Sequence, residues 1–106
     1  MAIIEQRQYL LHSQFGPKDF LDIYKAQGLK VQTEILGGLL GYFTTEVGQL
    51  NGIVSLWRYD SFEERQRRRA ALAARPEWHA YLDKVRPMIR DMSNTLLTPV
   101  EFQVGT

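Results

Sequence analysis

The chain has 106 residues, with thirteen Lys and Arg against twelve Asp and Glu, a net charge of +1 and no cysteine. At this length one domain covering 1–106 is expected, and the near-neutral balance argues against a nucleic-acid binder, whose basic excess is usually strong. The absence of cysteine excludes disulfides, a thiolate nucleophile and a Cys-based metal site, and no apolar run approaches the roughly 20 residues of a membrane-spanning helix.

The chain opens Met1-Ala2-Ile3-Ile4-Glu5-Gln6-Arg7 without a signal-peptide pattern, so the cytoplasm is the expected location. Residues 3–11, with Ile3, Ile4, Tyr9, Leu10 and Leu11 around polar groups, read as a strand that Gly16-Pro17 punctuates. Pro17 suits a first helical turn, and Phe20, Tyr24, Val31 and Ile35 continue at helical spacing. Gly28 predicts a bend or a close packing point within that helix, and Gly37-Gly38 stops it.

Two strands follow, Leu39 to Val47 and Ile53 to Tyr59, linked through Asn51-Gly52 as a hairpin. Ser61-Phe62-Glu63-Glu64 has the capping-box pattern and should start a helix that runs to about Ala74. Arg75-Pro76 restarts the chain, and Trp78, Tyr81, Leu82, Val85 and Ile89 form an apolar stripe. Pro87 should end or kink that helix near Arg86. A last strand is expected over Thr95 to Val104, on an edge or with a bulge because of Pro99.

The order β-α-β-β-α-β closes most simply as an α+β, ferredoxin-like fold: a four-stranded antiparallel sheet with helices on one face. The strands carry apolar groups on both faces. Helices cover one face only, so Trp57, Tyr59 and Tyr9 are expected together on the uncovered one. A second copy laid over that face makes a homodimer, the dimeric α/β barrel arrangement.

Arg7, Tyr9, Ser55, Trp57 and Tyr59 share parity on two central strands, with Tyr42, Trp78 and Tyr81 as walls from other elements. A cavity of that make-up would take a small aromatic or carboxylated ligand, with Arg7 pairing to an anion. The alternative is that these groups are a packed dimer core, with Arg7 paired to Glu5 or Glu46. His12 and His79 read as a loop and a solvated helical histidine, no metal-ligand spacing surrounds either, and no cofactor is implied. The basic run Arg65, Arg67, Arg68 and Arg69 reads as a solvated face with local ion pairs. No serine sits in a nucleophile elbow, and Gly37-Gly38 does not open a helix as a phosphate loop does.

The segments LGGLLGYFTTEVGQLN at 36–51 and SLWRYDSFEERQRRRAALAARPEWHAYLDKVRP at 55–87, with Arg7 and Tyr9 on the opening strand, resemble the NIPSNAP family. The resemblance runs over nearly the whole chain and implies the dimeric α/β barrel superfamily. Where many members of that family carry histidine, this chain has Ser55, so no imidazole role is implied there. The family has no agreed chemistry. Its eukaryotic members are linked to mitochondria and vesicle traffic, and its relatives include small cofactor-independent monooxygenases. The expected function is therefore a homodimeric binding or interaction domain holding a small apolar or aromatic metabolite. The alternative is a cofactor-independent monooxygenase-like or isomerase-like enzyme acting on an aromatic or enolisable substrate. In that enzyme Arg7 would hold an anion, Tyr9 or Tyr59 would donate to an oxyanion, and Trp57 would stack.

Overall fold

Alternation at two-residue period makes β1 (Ile3–Leu11) a strand whose odd-numbered residues from Glu5 to Leu11 are buried. The structure is a computed structural model that describes residues 1–100 and 102. β1 pairs antiparallel on both sides, with β3 (Gly52–Tyr59) and with β4 (Ile89–Leu97). β2 (Leu39–Thr44) completes the order β2-β3-β1-β4, all antiparallel. This is the expected ferredoxin-like sheet.

Pro17 occupies the first turn of α1 (Pro17–Ile23), and Asp19 Oδ2 accepts from the Gly16 N–H at 2.8 Å. The rod continues through a π-helical turn at Tyr24–Gly28 into α2 (Leu29–Leu36). Gly28 is where Tyr81 packs: a Cβ there would lie 2.9 Å from Tyr81 Cζ. Of the two expectations at Gly28, a bend or a close packing point, the close packing is present. α3 (Phe62–Ala73) starts at Ser61, whose hydroxyl accepts from the Glu64 N–H at 3.0 Å. The Glu64 carboxylate does not complete a capping box, because Arg67 and Arg68 engage it instead. α4 (Pro76–Val85) ends in a 3-10 turn at Arg86–Met88, as Pro87 requires.

Three expectations change. Ile89 is the first residue of β4 and not the end of a helical stripe. β4 covers 89–97, so it begins before the expected Thr95, and Pro99 lies beyond it. The end of the expected Thr95–Val104 strand falls partly outside the described residues. The largest correction concerns the sheet faces. The helices lie on the face of Tyr9, Trp57 and Tyr59, which are core residues, Trp57 with no exposure at all. Those aromatics bury more apolar area per residue than any other groups on the sheet, so the helix layer settles on them. The register leaves Ile4, Leu10, Val54, Leu56, Phe43 and Leu97 on the opposite face.

Gly38 ties β2 to the rest of the sheet. Its φ is +61°, its carbonyl accepts from the Arg58 N–H at 2.8 Å, and an added Cβ would collide with the Arg58 carbonyl oxygen. Gly38→Ala should therefore cost about 2–3 kcal/mol, from a left-handed backbone plus forced strand separation. Urea unfolding should show a lower midpoint at unchanged slope. An unchanged midpoint would mean that the strands yield without cost. No helix among the described residues is long and apolar enough to cross a membrane.

Candidate functional site

A cleft of about 140 Å³ opens between the helix-covered face of the sheet and the helices. β1 supplies Arg7 and Tyr9, β2 supplies Tyr42, and β4 supplies Ile89 and Met92. Phe20 from α1, Gln32 from α2 and Arg69 from α3 meet Trp78, Tyr81, Leu82 and Val85 from α4, with Arg86 at its end. The helical spacing of the α4 stripe puts Trp78, Tyr81, Leu82 and Val85 on one side of that helix. Trp78 and Tyr81 rings lie 4.9 Å apart, and Tyr24 joins Tyr81 to Tyr42 at 5.8 and 4.7 Å.

Beneath the cleft is a buried charge cluster. Glu5, with no exposed surface, accepts from Arg7 Nη1 at 3.0 Å and from Arg65 Nη2 at 3.0 Å and Nε at 3.2 Å. Arg7 also donates through Nε to the Tyr9 hydroxyl at 3.1 Å. Burial alone would raise the Glu5 pKa. The bond from Arg65 and the charges of Arg7, Arg65 and Arg69 overcome it and hold the carboxyl below its ordinary value. Arg69 also has its pKa lowered, by burial first and then by the nearby Arg7, which here disfavours the charged form. Its Nη1 is buried with no hydrogen-bond partner among the described residues, and the Tyr59 hydroxyl is in the same position.

Five of the expected site residues, Arg7, Tyr9, Tyr42, Trp78 and Tyr81, line the cleft. Ser55, Trp57 and Tyr59 do not. Ser55 is buried and accepts from Trp57 Nε1 at 2.9 Å, which places both behind the wall that Tyr42 forms. The Arg7–Glu5 pair weighed as the alternative is present, and it coexists with the cleft. His12 and His79 lie off the cleft, the latter exposed with Nε2 2.6 Å from the Ala73 carbonyl. Among the described residues no group of three His, Asp or Glu side chains could hold a metal.

The basic run needs correction, since only part of it is a solvated face. Arg65 reaches Glu5, Arg69 enters the cleft, and Arg68 Nη1 donates to the Ile35 and Leu36 carbonyls at 3.1 and 3.3 Å, closing the end of α2. Arg67, and Arg68 through its Nε, stay in local ion pairs with Glu64 on the surface. Arg69 was hidden by composition, yet a signal existed: Arg65, Arg69 and the buried Leu72 fall at i, i+4 and i+7, one face of α3.

A family profile for NIPSNAP matches residues 4–103. A NIPSNAP-like domain protein from Burkholderia xenovorans is 40% identical, with a TM-score of 0.92 over 97% of this chain and 89% of its own. A NIPSNAP family protein from Agrobacterium tumefaciens is 30% identical with a TM-score of 0.94, both chains being covered in full. Among curated relatives, a putative NipSnap protein from Caenorhabditis elegans is 32% identical over 77 residues, 73% of this chain. The chain spans only 14% of that relative's length. A dimeric ferredoxin-like protein from an uncultured marine organism, at 16% identity and a TM-score of 0.75, shares the fold.

Proposed function

The chain belongs to the NIPSNAP family, and on that basis we propose a homodimeric binding domain that holds a small apolar or aromatic metabolite in the cleft beneath α4. The observation that carries this reading is the cleft itself: aromatic rings on several sides and, among the described residues, no carboxylate or histidine lining it. Glu5 is held ionised by arginines and does not line the cleft, and neither histidine reaches it. A volume of about 140 Å³ matches one ring, since a cavity on the order of 150 Å³ admits benzene.

Dimerisation rests on the uncovered sheet face, which differs from the face expected. Ile4, Val54 and Leu56 are half-buried in the lone chain, and Phe43 and Leu97 remain 52% and 40% exposed beside them. Four strands of up to nine residues present roughly 30 × 19 Å, hence about 570 Å² per partner. The total of about 1,100 Å² clears the roughly 1,000 Å² that a biological interface needs. A ferredoxin-like neighbour is itself described as dimeric, which supports a dimer.

Native mass spectrometry tests both parts. A dimer near twice 12.3 kDa with added small-molecule mass is the expected result; a monomer would sink the dimer, and a dimer that takes up no ring compound would sink the cleft's role. Leu56→Asp, at the centre of the open face, should weaken self-association by roughly thirtyfold or more, as losing a central apolar anchor does. Sedimentation at falling concentration reads this directly, and equal dissociation of the variant and the parent would place the interface elsewhere.

A second reading is favoured by Tyr42. Burial pushes its phenol up to about 12, so Tyr42 lines the cleft as a neutral phenol, the form that donates to an oxyanion. A cofactor-independent enzyme acting on an aromatic or enolisable substrate would use it so. The missing base ranks that reading second.

A further inference from the structure

We infer that the cleft selects an anion, namely the carboxylate of a small monocyclic acid, gripped between Arg7 and Arg69 while its ring lies among Tyr9, Trp78 and Tyr81. This deepens the binding reading above and rests on it. The first argument is a charge count. Three guanidinium groups, Arg7, Arg65 and Arg69, surround one carboxylate, Glu5, which leaves the cluster two positive charges in excess. Arg65 spends two nitrogens on Glu5, and Arg7 gives it Nη1. Arg69 takes no part in any ion pair among the described residues, and its buried Nη1 has no acceptor there.

The second argument is placement. Arg7 and Arg69 line the cleft, whereas Glu5, the carboxylate that balances them, does not. No Asp or Glu is among the residues around the cleft, so its interior is electropositive. Arg7 is 6% exposed and shares its one buried carboxylate, Glu5, with Arg65, so Arg69 is left without an anion of its own. An incoming carboxylate would accept from Arg69 and cancel one of the two excess charges. It would also relieve the repulsion between Arg7 and Arg69. With Arg7 Nε on Tyr9 and Nη1 on Glu5, Arg7 Nη2 and Arg69 Nη1 are left, one donor for each oxygen of a planar carboxylate.

The third argument is size and lining. About 140 Å³ matches one ring, which limits the ligand to a monocyclic acid. The walls are aromatic and apolar, which disfavours a more strongly hydrated dianion such as inorganic phosphate.

Calorimetry at neutral pH and low salt would compare benzoate and phenylacetate with benzamide and phenylacetamide, isosteres without the charge. The wild-type protein should bind the acids about ten- to a hundredfold tighter than the amides. Arg69→Met should bring acid binding down to the level of the amides, removing that preference. The isostere comparison in the wild type requires no variant, so it decides the question even if Arg69→Met does not fold. Equal binding of acids and amides would overturn the anion grip and leave the apolar cleft standing. Binding of neither would overturn both. Inorganic phosphate competing as well as benzoate would overturn the choice of a carboxylate.

Discussion

Glu5→Gln should lower stability by about 3–5 kcal/mol, the usual cost of removing one partner from a buried ion pair. Glu5 has no exposed surface, and its partners Arg7 and Arg65 are 7% and 17% exposed. A neutral amide would leave their charges beneath the cleft with nothing to balance them. The pH dependence has a definite sign. The folded pKa lies below the ordinary 4.5, so the contribution is complete above that value. It is lost as pH falls below about 4.5 towards the depressed folded value. Acid unfolding of the parent should therefore steepen in that range, and Glu5→Gln should flatten it. Parallel pH profiles for the two proteins would show that the cluster does not contribute in this way.

Trp57→Ala should cost a similar amount, about 3–5 kcal/mol, through the cavity left by a large ring. Trp57 is completely buried at the centre of β3 and meets Tyr42 edge-on at 6.4 Å. A domain of this length is stable by roughly 5–15 kcal/mol, so the variant would sit close to unfolding at 25 °C. Trp57→Phe separates ring from donor: it keeps most of the packing and releases only the bond to Ser55. Its loss should be under half that of alanine. Equal losses for the two would mean that the Nε1–Ser55 bond, and not packing, holds the strand. Chemical denaturation followed by circular dichroism measures both.

The two variants probe the two things that the helix-covered face contains, a packed aromatic core and a charged cluster beside it. Sequence periodicity placed Arg7, Tyr9, Ser55, Trp57 and Tyr59 on one surface, and the observed register agrees, with Arg7 opposite Ser55 and Tyr9 opposite Ile53. Periodicity does not say which side of that surface the helices take. The choice of side needs the crossovers and the α4 stripe in three dimensions. The same gap explains why Trp57 and Tyr59 were expected at an interface and are found in the core. It also explains why the open face proposed for dimerisation is built from Ile4, Val54 and Leu56.

What the sequence determined by itself is local: element order, the proline-led helix starts, the Ser61 cap, the Gly37-Gly38 stop and the identity of the family. These depend on short-range backbone rules and on residue patterns that need no partner across the fold. Only the tertiary structure decided that Arg65 and Arg69 leave the solvated face of α3, one for Glu5 sixty residues away and the other for the cleft. An arginine's long side chain can lie in water or reach a buried acceptor with equal local propensity. Which it does is set by the charge that the packed sheet places within its reach.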